Sequence, residues 1–140
     1  MKTSLFNTPA ETATRLAMCL PHLPCPATLD EITSIDLAAT YMKPFGFGSQ
    51  SLHGDTPYAA AEYDARRRRV HEGLARLVRT GLAETPDNGI TFSPTTACQE
   101  YSSSLRGDYA QAYTESVAQL IELGVNTVVD RVQHAGVNRG

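Results

Sequence analysis

Ser51-Leu52-His53, followed by Gly54-Asp55, places a hydroxyl, an imidazole and a carboxylate within five residues. A hydroxyl next to an imidazole is the raw material of nucleophilic catalysis, but a working site also needs an acid that orients the base and donors for the oxyanion. Neither is evident around this tripeptide. A metal reading fares no better. His53 and Asp55 would supply one imidazole and one carboxylate, yet His22, His71 and His134 are scattered, and Cys19, Cys25 and Cys98 show no ligand-pair spacing. The glycines of Gly46-Phe47-Gly48 lack the following Lys-Ser/Thr of a phosphate-binding loop. We therefore expect no catalytic residue, no metal and no cofactor. His53 is expected to hydrogen-bond backbone within its loop and tie it to the next helix.

Charge is the stronger signal. The segment Glu62–Thr80 carries six arginines against Glu62, Asp64 and Glu72, a net of +3, on a chain whose total is −3. A basic helix on an acidic body steers a negatively charged partner to one face. With 100° per residue and Val70 at zero, the apolar residues of this helix span about −20° to +80°. Arg66 falls near −40° and Arg67 near +60°, which predicts a buried, structural pair with Asp36 and Glu62 as partner carboxylates. Arg68, Arg69, Arg76 and Arg79 fall between about 160° and 260°, pointing outward. That stripe suits DNA phosphates, an acidic subunit surface, or plain solvation.

The elements that hold these residues are well punctuated. Thr8-Pro9-Ala10-Glu11 and Thr28-Leu29-Asp30-Glu31 both have capping-box spacing, and each opens a helix with an apolar stripe. Pro21 and Lys43-Pro44 close them. A long glycine-containing connection from Phe45 to Pro57 leads to the arginine helix, which Gly81 stops. Two strand-like runs, 82–85 and 90–93, flank Pro86-Asp87-Asn88-Gly89, a strong hairpin signal. The pattern predicts a mainly α fold with a small β-hairpin: a winged helix-turn-helix-like domain over 1–107, then a long C-terminal helix and tail over 108–140. Val117, Leu120, Ile121, Val125, Val128 and Val132 line one side of that last helix. Run unbroken from 108 to 133 it would span about 39 Å, so its first half can fold back over the first two helices while the rest of its stripe is expected to dock on a partner, a second copy or another protein.

At 140 residues, with 41% hydrophobic and 19% charged positions, the chain has an ordinary globular composition and room for one domain. No run is long and apolar enough for a membrane helix, and the start lacks the apolar stretch of a secretory signal. The odd cysteine count argues against a disulfide framework and for a reducing cytoplasm.

From Ile35 to Leu82 the chain resembles the middle component of bacterial three-component ABC-ATPase conflict systems, the group that includes Lamassu-like antiphage defence. The resemblance rests on an order of features: Asp36 and aliphatic residues, a glycine-rich loop, Ser51-Leu52-His53, a proline-containing spacer, Glu62, Arg66-Arg67, and Gly81-Leu82 before the hairpin. It continues more loosely into the C-terminal helix. Ser49 and Gln50 stand where family members commonly carry a proline and an acidic residue. The resemblance implies a small winged-helix subunit. It would join an SMC/Rad50-like ABC ATPase to an effector, often a nuclease; in the adaptor reading its winged helix contacts either the ATPase or double-stranded DNA. The competing reading is a dimeric winged-helix transcriptional regulator that pairs through its C-terminal helix. Against it stand the absence of Asn or Gln on the outward arginine face for reading adenine and a connection too long for a helix-turn-helix.

Overall fold

The computed structural model describes residues 8–48, 52 and 59–139. Six α-helices and three short strands follow in the order α1 (Pro9–Cys19), β1 (Ala27–Thr28), α2 (Leu29–Thr40), α3 (Tyr63–Arg79), β2 (Ala83–Glu84), β3 (Thr91–Pro94), α4 (Thr96–Ser104), α5 (Asp108–Leu123) and α6 (Val125–Arg139). Short 3-10 turns, Leu20–His22 and Ala59–Glu62, extend α1 and introduce α3. The protein is therefore mainly α with a small antiparallel sheet, of strand order β1-β3-β2.

Local sequence accounts for the helix ends. The Thr8 hydroxyl accepts from the Glu11 amide at 3.1 Å. At the start of α2 the box closes both ways: Glu31 donates its amide to Thr28 Oγ1 at 3.1 Å, and the Thr28 amide donates to Glu31 Oε1 at 2.9 Å. α3 ends at Gly81, whose φ of 83° lets the Leu82 amide reach back to the Leu77 carbonyl. In the hairpin, Asn88 and Gly89 both have positive φ, and Asp87 accepts from the Thr91 amide and hydroxyl. The two expected strands are present. β1 is an addition, pairing Ala27 with Phe92 and Thr28 with Thr91 in a stretch too short to show any alternation.

One core draws on both sides of residue 107, with Leu16, Leu20, Ile32, Ile35, Leu74, Val117, Leu120 and Val128 all fully buried. α1 and α3 pack closely because Gly73 faces α1. A Cβ at Gly73 would sit 2.9 Å from Leu16 Cδ1 and 3.2 Å from Thr12 Cγ2.

The expected single C-terminal helix is two helices. Gly124, at φ 105° and ψ 132°, caps α5 by donating to the Leu120 and Ile121 carbonyls, and its own carbonyl accepts from Val128 to restart the chain as α6. After this elbow α6 returns over α2. Arg131 fixes it there, donating to the Phe45 carbonyl at 2.9 Å with its guanidinium 4.6 Å from the Phe47 ring centroid. Gly46, at φ 79°, leaves the room that Arg131 occupies, since a Cβ there would lie 3.2 Å from Arg131 Nη1.

Candidate functional site

α1, α2, α3 and α5 each send a side chain to one point in the core, the carboxylate of Asp36. Arg15 from α1 grips it with two bonds, Nε to Oδ1 at 3.0 Å and Nη2 to Oδ2 at 3.1 Å. Arg66 from α3 donates Nη1 to Oδ2 at 2.9 Å and to Thr40 Oγ1 at 3.0 Å. The Tyr113 hydroxyl from α5 donates to Oδ1 at 2.7 Å. Every one of these side chains is buried. The Tyr41 ring lies 5.7 Å from the Arg66 guanidinium, and Arg66 Nε and Nη2 find no hydrogen-bond partner among the described residues.

The electrostatics follow from that geometry. Burial alone pushes the Asp36 carboxyl up, but Arg15, Arg66 and the Tyr113 hydroxyl outweigh it and hold the group well below the usual carboxylate range. Arg15 is disfavoured by burial yet held charged by Asp36. Tyr113 is pushed well above its ordinary value by burial and then by Asp36. The cluster thus keeps one negative and two positive charges out of water. A carboxylate so enclosed can neither reach a substrate nor exchange a proton with one, so its work is to align four helices. Cys19 next to it is also pushed up, by burial first and Asp36 second, which makes it a poor nucleophile.

Arg66 lies on the buried side of α3 and meets Asp36, whereas Arg67 does not join them. Its side chain is 45% exposed and donates to Asp30 at 2.7 Å, where the Tyr63 hydroxyl also donates. The buried arc of α3 is Arg66, Val70, Gly73, Leu74 and Leu77. Gly73 extends it to about −60° and shifts its centre away from +60°. A glycine offers no hydrophobic side chain to count, so the stripe is misplaced when only apolar residues are read. Arg67→Ala should accordingly cost no more than about 1 kcal/mol, as exposed ion pairs do, measured by urea denaturation. Glu62, the second carboxylate expected beside these arginines, interacts with Tyr41. Arg15 was invisible as a partner, because an arginine in the second turn of an amphipathic helix reads as solvated.

The remaining candidate residues separate clearly. Arg68, Arg76 and Arg79 are exposed and Arg69 is half-buried. Leu52 is half-buried against the core, while Ser51 and His53 lie outside the described residues. The proposed docking stripe is largely consumed by the chain's own core: Val117, Leu120, Val128 and Val132 are buried there. Val117 and Leu120 are buried along α5 itself, and the bend at Gly124 brings Val128 and Val132 back onto the core. Ile121 and Val125 are half-buried and line a cleft of about 530 Å³ against Leu23, Pro24 and Pro26. Among the described residues no group of three His, Cys, Asp or Glu could hold a metal ion, and no helix is long and apolar enough to cross a membrane. The hairpin segment Leu82–Pro94 carries Glu84 and Asp87 and no Lys or Arg.

The chain is thus mainly α, with a small antiparallel sheet and a buried Arg-Asp-Arg cluster. The chain belongs to the family described as ABC-three component (ABC-3C) system Middle Component 2, whose model matches residues 5–131. It is a middle component of such a system and so acts among partner subunits. No curated protein and no solved structure matches it.

Proposed function

We propose that this chain is a non-catalytic accessory subunit of a Lamassu-like antiphage defence complex. In this reading it works in the cytoplasm and links an SMC/Rad50-like ABC ATPase to an effector nuclease. The observation that carries the reading is the family match across nearly the whole chain. The order α1-β1-α2-α3-β2-β3 suits a winged-helix module, with α3 as the helix that precedes the wing.

Such a module could use its outward arginines on DNA or on protein. The wing favours protein. Its only charges are acidic, and Glu84 and Asp87 would be repelled by the phosphates that a DNA-bound wing approaches. Arg68, Arg69, Arg76 and Arg79 are then assigned to an acidic subunit surface, with DNA as a secondary contact. The rival reading, a regulator that dimerises through its C-terminal helix, loses support because most of that helix's apolar stripe is buried within the chain.

Co-expression with the ATPase and effector of its own system tests the proposal. A tagged ATPase is expected to capture this chain in a defined hetero-oligomer, sized by light scattering after gel filtration. A nanomolar homodimer that binds a palindromic duplex and ignores the ATPase would reverse the choice in favour of the regulator.

A further inference from the structure

The outward side of α1 is bordered by clefts on both flanks. On one, α1 and the start of α5 enclose about 290 Å³, with Met18, Leu105, Tyr109 and Ala110 among the lining residues. This cleft runs into a second, of about 270 Å³, which shares Met18, Leu105, Arg106 and Ala110 and continues to Thr114. On the other flank, Ala10 and Thr14 border about 310 Å³ against Arg76, Leu82 and Tyr101. Ala10 and Thr14 lie one turn apart on the open side of α1, and Met18, one turn further, is buried beneath the clefts. Small side chains at Ala10, Thr14 and Ala110 let a second backbone come close. The half-buried Leu105 and Tyr109 and the 38% exposed Tyr101 offer apolar contact, above a floor that includes the buried Met18.

The charge around these clefts is one-sided. Arg76 and Arg106 are exposed at their edges, and Arg15 forms part of one floor. Beneath that floor Arg15 and Arg66 share a single carboxylate, leaving one positive charge in excess within the low-dielectric core. Glu11 is the single acidic residue among the described linings of the three clefts. Arginine, tyrosine and methionine are also the residue types that interface cores favour.

We propose that this face receives an acidic amphipathic helix from a partner subunit of the same three-component system. Its apolar edge lies in the groove between α1 and α5, and its carboxylates reach Arg106 and Arg76, a helix-in-groove mode of recognition. This inference rests on the reading of the chain as an accessory subunit and adds where and how it is held.

The test uses the full chain co-expressed with both other components of its system. In the wild-type complex, hydrogen exchange should slow over residues 10–18 and 101–114 relative to the isolated chain. Arg76→Glu with Arg106→Glu should reduce the captured complex at least tenfold with no larger fall in melting temperature than Arg106→Met, which also removes the bonds from Arg106 Nη1 to the Ser103 and Leu105 carbonyls, and Thr14→Arg, which fills the groove, should reduce capture likewise. Glu122→Lys, on the exposed side of α5, should assemble normally. If the wild type assembles but these variants assemble equally well, or protection falls elsewhere, the groove assignment is wrong and the accessory reading stands. If protection arises from self-association of the isolated chain, the occupant is a second copy and the proposal fails. If even the wild type captures neither component, the accessory reading falls and this inference falls with it.

Discussion

Replacing Asp36 with alanine should lower the stability of the chain by about 3–5 kcal/mol, the cost typical of breaking a buried ion pair. The loss exceeds that of an ordinary core truncation because two guanidiniums, Arg15 and Arg66, would remain buried with no carboxylate between them. Tyr113 would lose its acceptor as well. Against a typical total of 5–15 kcal/mol for a domain, the variant should be largely insoluble or melt far below the wild type in a thermal scan. A fourfold change, Arg15→Met with Asp36→Leu, Arg66→Met and Tyr113→Phe, should recover most of the loss, since the charges and the hydroxyl that bind the carboxylate are removed together with it. If Asp36→Ala melts like the wild type, the cluster is not what aligns the helices.

The same cluster fixes a dependence on pH. Asp36 has a folded-state pKa below its unfolded value. It therefore contributes stability that is fully present above the unfolded value, near 4, and is lost as pH falls from there through the folded value. Denaturation midpoints should hold steady from neutrality to about pH 5 and drop below about pH 4. Asp30, lowered by its bonds from Arg67 and Tyr63, pulls the same way but from an exposed position, so its share is small.

Much of the scaffold could be read from punctuation in the chain. Thr8, Thr28 and Gly81 mark helix ends because their side chains, or the lack of one, answer backbone groups locally. The Asn88-Gly89 turn is legible for the same reason. What was not legible is long-range. Arg15 is 21 residues from Asp36, and nothing in the spacing of either announces the bond. Tyr113 is 77 residues away and reads as one more apolar position on a helical stripe. Glycine misled the reading twice by being silent in a hydrophobic pattern. Gly73 rotates the buried side of α3 toward α1, and Gly124 ends a helix whose apolar stripe continues on both sides of it. The stripe from Val117 to Val132 was real, but its partner is this chain's own core.

That bend sets up the second large effect. Val128 is fully buried where α6 meets the core, and Val128→Asp would place a carboxylate in that apolar setting. A cost of about 3 kcal/mol or more follows from burying an unpaired charge, read as a lower denaturant midpoint and fast hydrogen exchange across residues 125–135. Val125, half-buried at the elbow, should tolerate the same change with a loss of about 1 kcal/mol or less. Were the two helices one straight rod with an outward stripe, Val128→Asp would leave stability untouched and affect only assembly. Gly124 supplies the complementary test, and its outcome turns on sign. At φ 105° an alanine is strained, so Gly124→Ala should destabilise the bent chain by about 1–3 kcal/mol. In a continuous helix the identical substitution would stabilise by about 1 kcal/mol, because alanine is the better helix former. A stabilised Gly124→Ala variant together with a neutral Val128→Asp would return the C-terminal segment to its partners and open the core that these valines close.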